Sequence, residues 1–359
     1  YVNSASPSPA NLHLSNSDTV AKDRGIAITG FSTDYDGDTR PQGTAWDVGA
    51  DEVSQSVSGN IYYVDPATGN NANSGTSPGS PWKNPPGTRN TADTEFYSSA
   101  WGSISSSNHI KAGDIIEIKA GTSMTSAIGG RLVIDSTYYD DGTSANPITI
   151  RVSPAWGSGN FVFNVNGMTV PQYSSAVFIN QRNYIQLKGA DASRRFVVSN
   201  SAGGGWGFMV SGTSATHQKG TVLDFMELAN NSTGGSTIFY ADDFTVSNSI
   251  SRNNGQIGFD VGGINDQNSN NGRFIDVEAF SNGVSSTGIA HGFGLYGSTN
   301  ITYIRAKAYS NGRDGFDFGT TSNTNNASAT VIDSSSYNNG EDGFGTNGGR
   351  TGTQIFTYI

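Results

Sequence analysis

The chain has 359 residues with 47 glycines, no cysteine, a net charge of −10 and only 14% Asp, Glu, Lys and Arg. Glycine without a three-residue period excludes collagen, 11% aromatics exclude a disordered tail, and 34% apolar residues are too few for a helical bundle. The acidic balance argues against nucleic acid or an anionic membrane as partner, and no apolar run is long enough for a membrane-spanning helix, so no membrane insertion is expected. Without cysteine there are no disulfides, thiolate metal sites or thiol nucleophiles. An all-β chain remains, made of short strands joined by Gly, Ser, Asn and Thr turns, a composition expected of a secreted or cell-surface protein.

Residues 1–52 hold few strand-like runs and contain Asp34, Asp36, Asp38, Arg40 and Pro41, then Asp47, Gly49 and Glu52. The alternating aspartates resemble a calcium loop. However, Ala45 stands where the twelfth-position Glu belongs and Thr39 where Gly is required, so an EF-hand is rejected. A turn locked by Asp and Arg40 is expected, with weak surface Ca²⁺ as the other reading. Residues 53–175 open on the strand candidate 61–64, cross a polar loop with Pro78, Pro81 and Trp82, and continue through strand candidates 115–119, 132–134 and 148–150.

From 176 to 359 the sequence repeats. Four segments ending in Asn253, Asn282, Asn311 and Asn339 are spaced 29, 29 and 28 residues apart. Each alternates with period two, which puts Val246, Ile275, Ile304 and Ile332 on an inward side, followed two residues later by Asn248, Val277, Ala306 and Ser334. A second column follows each Asn, with Phe259, Phe293, Phe316 and Phe344 after glycine. A unit of two or three short strands cannot bury its apolar side alone, but stacked units can. The fold class is therefore all-β, a parallel β-helix with coils of about 28–29 residues; an antiparallel sandwich would leave the period unexplained.

Tyr62-Tyr63-Val64-Asp65-Pro66, Gly75-Thr76-Ser77-Pro78, Pro81-Trp82, Ala112-Gly113-Asp114-Ile115-Ile116, Ala120-Gly121-Thr122 and Asn146-Pro147-Ile148-Thr149-Ile150 carry a resemblance, together with the Asp-Gly-Phe turns. They resemble right-handed parallel β-helix proteins of the pectate-lyase type, polysaccharide lyase family nine in particular. Residues 1–52 resemble the closing segment of such a β-helix, here ahead of the coils. The permuted order leads us to expect one period of a tandem polypeptide, a subunit capped by its neighbour, or a piece of a longer enzyme.

The resemblance implies Ca²⁺ held by an Asp below an Asp-Asp-Gly-x-Asp turn, and a Lys base. Asp317 matches the lower ligand and Glu341-Asp342-Gly343-Phe344-Gly345 the turn, with Gly345 in place of the third carboxylate and no matching Lys. One coil earlier, Asp314 and Asp317 keep two carboxylates but Arg313 replaces the first. Asp314, Asp317, Glu341 and Asp342 are thus the candidate metal ligands.

Arg305 and Lys307 face outward beside Asp276, Asp333 and Glu278, as a charge ladder or as substrate contacts; Phe280, Tyr309 and Tyr337 form an aromatic strip that would stack or bind sugar rings. His291 reads as a turn residue among apolar and Gly neighbours, and Asn231 and Asn300 start glycosylation sequons. Two functions follow. The first is an extracellular structural or adhesive solenoid module, assembling with copies of itself or adjacent modules through its ends and touching extracellular polysaccharide. The alternative is a Ca²⁺-dependent polysaccharide lyase that cleaves an acidic glycan by β-elimination.

Overall fold

The computed structural model describes residues 14, 18–30, 33–34, 40–41, 45–53, 59–89, 101–125, 130–166, 175–203, 205–263, 267–284, 288–319, 326–346 and 354–359. The chain separates into two compact units, residues 1–58 with 144–146, and residues 59–143 with 147–359. In the first, Arg40 reaches the carboxylate of Glu52 at 3.4 Å and the Gly49 carbonyl at 3.0 Å, while Asp34 accepts from the Glu52 amide at 3.0 Å. Arg40 therefore locks its turn through Glu52 and a main-chain oxygen. Asp36 and Asp38 lie outside the described residues.

The second unit is a right-handed parallel β-helix. A representative coil passes through Arg273–Ile275 in the first sheet, Glu278–Phe280 in the second and Phe293–Tyr296 in the third, then returns to the first at Ile301–Ile304. The three sheets contain ten, eight and nine strands among the described residues, and nearly every neighbouring pair is parallel. Coils are already in register at Ile61–Val64, which pairs with Ile115–Ala120.

The corner between the first two sheets explains why a simple alternation misreads this repeat. Asn248, Asp276, Arg305 and Asp333 all have φ between 48° and 53°, in the left-handed region. Asn and Asp tolerate it; Arg does so at a cost. At Arg305 that cost is offset by a bidentate ion pair to Asp276, with both contacts at 2.6 Å. The bend interrupts the period of two. The inward column is Val246, Phe274, Tyr303 and Val331, all buried, and the Ile275, Ile304 and Ile332 expected there are half-buried on the other side. Asn248 occupies the corner, while Val277 and Ala306 do point inward.

Phe259, Phe293 and Phe316 in the core and the exposed Phe344 beyond them stack with centroids 5.5, 4.7 and 4.8 Å apart. Phe274 and Tyr303 form a parallel stack at 5.0 Å. The one-coil spacing of about 4.8 Å suits offset aromatic stacking, so identical residues are good neighbours here.

After the second-sheet strands an asparagine ladder runs Asn231, Asn254, Asn282, Asn311, Asn339. It replaces the expected Asn253 with Asn254, one residue on. Each Nδ2 donates to the Oδ1 of the next Asn at 2.9–3.0 Å, and each main-chain N–H donates to the same oxygen at 3.0–3.2 Å. The ladder also fixes a glycine: a Cβ on Gly292 would lie 2.6 Å from the Gly315 carbonyl oxygen and 2.8 Å from the Asn311 amide nitrogen. Asn231 is buried in this ladder, so its sequon is closed to modification in the folded chain.

Asn282→Ala strips a fully buried rung of its acceptor and donor at once. At about 1–3 kcal/mol for each buried group left unsatisfied, we expect a loss of roughly 2–4 kcal/mol in urea unfolding. The half-buried Asn339→Ala should cost clearly less, and equal costs at the two rungs would contradict the ladder's role.

Candidate functional site

On the outer face of the second sheet the expected columns are in place. Lys307 bonds Glu278 at 2.9 Å, beside the Arg305–Asp276 pair. Each partner shifts the other in the favourable direction: hydrogen bonding to Arg305 lowers the Asp276 carboxyl, and Glu278 raises the Lys307 amine. Phe280, Tyr309 and Tyr337 stack at 4.8 and 5.1 Å with ring planes within 6°. Their faces thus meet one another. A sugar approaching the column meets ring edges and the exposed Tyr337.

The third sheet brings different residues together. Because Phe293 pairs with Phe316 and Phe316 with Phe344, the turn residues before them align as His291, Asp314 and Asp342 on successive coils. Asp317 follows on the strand Phe316–Gly319. His291 Nδ1 stands 3.0 Å from Asp314 Oδ2 and its Nε2 3.3 Å from Asp317 Oδ2. One donor atom from each of the three lies within 4.8 Å of the others, a geometry that could hold a metal ion. Tyr296 donates its hydroxyl hydrogen to Asp317 Oδ2 at 2.8 Å.

Of the predicted metal ligands, then, the structure gathers Asp314 and Asp317 with His291. Glu341 instead pairs with Arg313 at 2.8 Å, and Asp342 is exposed with its main-chain N–H bonded to Asp314 Oδ1. Among the described residues neither joins the cluster. His291 was legible in principle. Laying His291-Gly-Phe-Gly over Asp314-Gly-Phe-Asp puts the imidazole directly over a carboxylate, whereas its sequence neighbours alone give no sign of one.

Burial governs the electrostatics. It lowers the His291 pKa, against the pull of Asp317 and Asp314, so the neutral imidazole is favoured. It raises the Asp314 carboxyl, opposed by the Asp342 amide and His291. Burial and the Asp317 charge also hold the Tyr296 phenol well above its usual range.

The outward column of the third sheet runs Met209, Thr237, Asp260, Gly294, Asp317, Gly345. Gly294 leaves room for the Tyr296 ring, which a Cβ there would approach to 2.9 Å. Trp206, Met209, Ile257 and Tyr296 form an apolar cluster of their own, with Phe178, Phe239 and Ile289 packed against it. Asp260 is fully buried; Thr237 donates to its Oδ2 at 2.6 Å, and its Oδ1 makes no hydrogen bond. Burial first, then the Asp317 charge, pushes its pKa up to about 7.

No family model matches this sequence, and no curated protein matches it. Among solved structures the chain is similar to the pectate lyase Pel9A, with a TM-score of 0.50 and 18% identity over 85% of this chain and 78% of that one. A rhamnogalacturonan lyase gives 0.44 and 17% over 83% and 62%, and a periplasmic alginate epimerase 0.45 and 11% over 75% and 65%. The fold is that of the polysaccharide-lyase type of right-handed β-helix.

The buried Asp260 gives a signed pH effect. Between the unfolded value of 3.8 and the folded value of about 7 the native state holds more of this proton than the unfolded chain, so stability falls as pH rises, by at most about 1.4 kcal/mol per unit. Asp317, Tyr296 and Tyr303 are the titratable groups coupled to it. Asp260→Asn should lack this term. Its melting temperature relative to the parent should climb from pH 4 to 7, and a flat difference would contradict the buried neutral carboxyl.

Proposed function

We propose that the protein acts on an acidic, uronate-containing polysaccharide as a lyase, by β-elimination at the His291–Asp314–Asp317 cluster. The observation that supports this reading is the cluster itself, an imidazole between two carboxylates on neighbouring coils of a lyase-type β-helix. In the elimination a base removes the proton α to the uronate carboxylate, the β C–O bond breaks, and a C=C bond forms as the leaving oxygen takes up a proton. The step is hard because charge builds beside an existing anion. Two carboxylates repel such a sugar unless a cation stands between them and it. A bound divalent ion supplies that charge as a Lewis acid.

The Ca²⁺ implied by the family resemblance does not fit these residues. Ca²⁺ takes six to eight oxygens, but here one donor is nitrogen, Glu341 is turned to Arg313, and Gly345 brings no carboxylate. His291, Asp314 and Asp317 present the donors, Tyr296 fixes the Asp317 carboxylate, and Asp260, its carboxyl pushed up to about 7, lies on the coil before them. An extracellular location goes with this reading, because such polymers are met there.

The test is the absorbance of the unsaturated product on a panel of uronate polymers, with and without chelator. Product should appear with the parent protein and fall roughly 100-fold in Asp317→Asn. The exposed-corner variant Asp333→Asn should keep full activity. Silence on the whole panel with divalent ions present would end the reading.

One observation favours a second reading, an assembling structural or adhesive module. Gln354–Tyr358 pairs with Ala327–Ile332, and among the described residues no strand covers its other edge. Phe344, Ile355, Tyr358 and Ile359 are exposed there. An uncovered strand edge of this kind can pair with a strand of a second copy. Sedimentation should show concentration-dependent oligomers that Ile355→Lys reduces to monomer; a parent monomer at every concentration would remove self-association.

A further inference from the structure

We infer that His291, Asp314 and Asp317 form a site for a divalent transition ion of the Mn²⁺, Co²⁺ or Zn²⁺ kind, in preference to Ca²⁺. The inference deepens the lyase reading by naming the class of cation, and its test needs no glycan.

Three observations carry it. The donors are one imidazole and two carboxylates, whose side chains are only 4%, 10% and 8% exposed. A mixed nitrogen–oxygen set of this kind suits ions of borderline softness, whereas Ca²⁺ gains little from an imidazole. His291 Nδ1 is buried, faces Asp314 and makes no hydrogen bond, so the ring nitrogen is aimed into the cluster without a donor–acceptor partner. The spacing also fits. Ligands at about 2.0–2.2 Å from one ion stand roughly 3.0–3.4 Å from each other, and Nδ1 and the Asp314 oxygen it faces are 3.0 Å apart.

An ion binds through one ring nitrogen only. On Nδ1, the nitrogen without a hydrogen bond, it meets Asp314 directly and draws in Asp317 by side-chain rotation, since one donor atom of each residue already lies within 4.8 Å of the others. Tyr296 supports this geometry, because its hydroxyl holds the Asp317 carboxylate toward the cluster at 2.8 Å. Arg313 is the nearby charge that would oppose a cation. Its guanidinium is engaged by Glu341 at 2.8 Å and by the Gly288 carbonyl at 3.2 Å.

The experiment titrates the full chain, freed of metal by chelator and dialysis, with Co²⁺ followed by visible absorption and with Mn²⁺ followed by electron paramagnetic resonance. One equivalent should bind, with nitrogen ligation visible in the Co²⁺ spectrum. Ca²⁺ at the same concentration should not compete. His291→Gln should weaken Co²⁺ at least 10-fold, the scale of losing a ligand's support. Asp342→Asn, outside the cluster, should bind as the parent does. If His291→Gln fails to fold, the Co²⁺ spectrum of the parent and the affinity of Asp317→Asn decide instead. No binding of either Co²⁺ or Mn²⁺, oxygen-only ligation, or displacement by equimolar Ca²⁺ would overturn the inference. A chain that binds Co²⁺ one to one yet cuts no uronate polymer keeps the site and loses the lyase reading, so the two fail separately.

Discussion

In the β-helix each coil stands about 4.8 Å from the next, and the buried amides of its corner column depend on the coil beside them. The asparagine ladder is the clearest case. An amide carries both donor and acceptor, so a column of identical Asn side chains satisfies itself: Asn254 donates to Asn282, Asn282 to Asn311, and Asn311 to Asn339. No coil completes those bonds alone. Stability is therefore a property of neighbouring coils, as in any solenoid, and a buried rung carries more of it than a half-exposed one.

The same constraint sorts the remaining residue types. Aromatic rings tolerate identical neighbours, which accounts for the stacks along Phe293 and Phe316 inside and Phe280 and Tyr309 outside. Carboxylates do not, because like charges one rung apart repel. On the second sheet the conflict is resolved by alternating sign, with Lys307 over Glu278 and Arg305 over Asp276. On the third sheet it is resolved by glycine: Asp260, Gly294, Asp317 and Gly345 alternate, so the acids stand two rungs apart, about 9–10 Å.

The coil period, the inner phenylalanine column and the outward charge pairs were legible in the sequence because they repeat. What it concealed came from corners. A left-handed residue at Asp276 or Arg305 shifts the facing of everything before it, so Phe274 and Tyr303 are inside where Ile275 and Ile304 were expected. Strand alternation has no term for a bend whose side chain is Arg, since only Gly, Asn and Asp advertise positive φ. His291 was hidden for a related reason. Its partners lie one coil on, at positions that resemble its own only in the shared Gly-Phe pair. Glu341 looked like a ligand until the coil below supplied Arg313 as a closer partner.

A stacked column makes repetition cheap and exceptions costly, which gives the exceptions their meaning. His291 over Asp314 is neither a self-pairing amide nor a ring stack, and Asp260 is buried with an oxygen that makes no hydrogen bond. Thr237 and Tyr296 each spend a hydroxyl on holding a single carboxylate, and Gly294 gives up its side chain to admit the Tyr296 ring. The departures gather on one face of the third sheet and within four successive strands. That concentration sets the His291 face apart from the self-neutralising charge pairs of the second sheet.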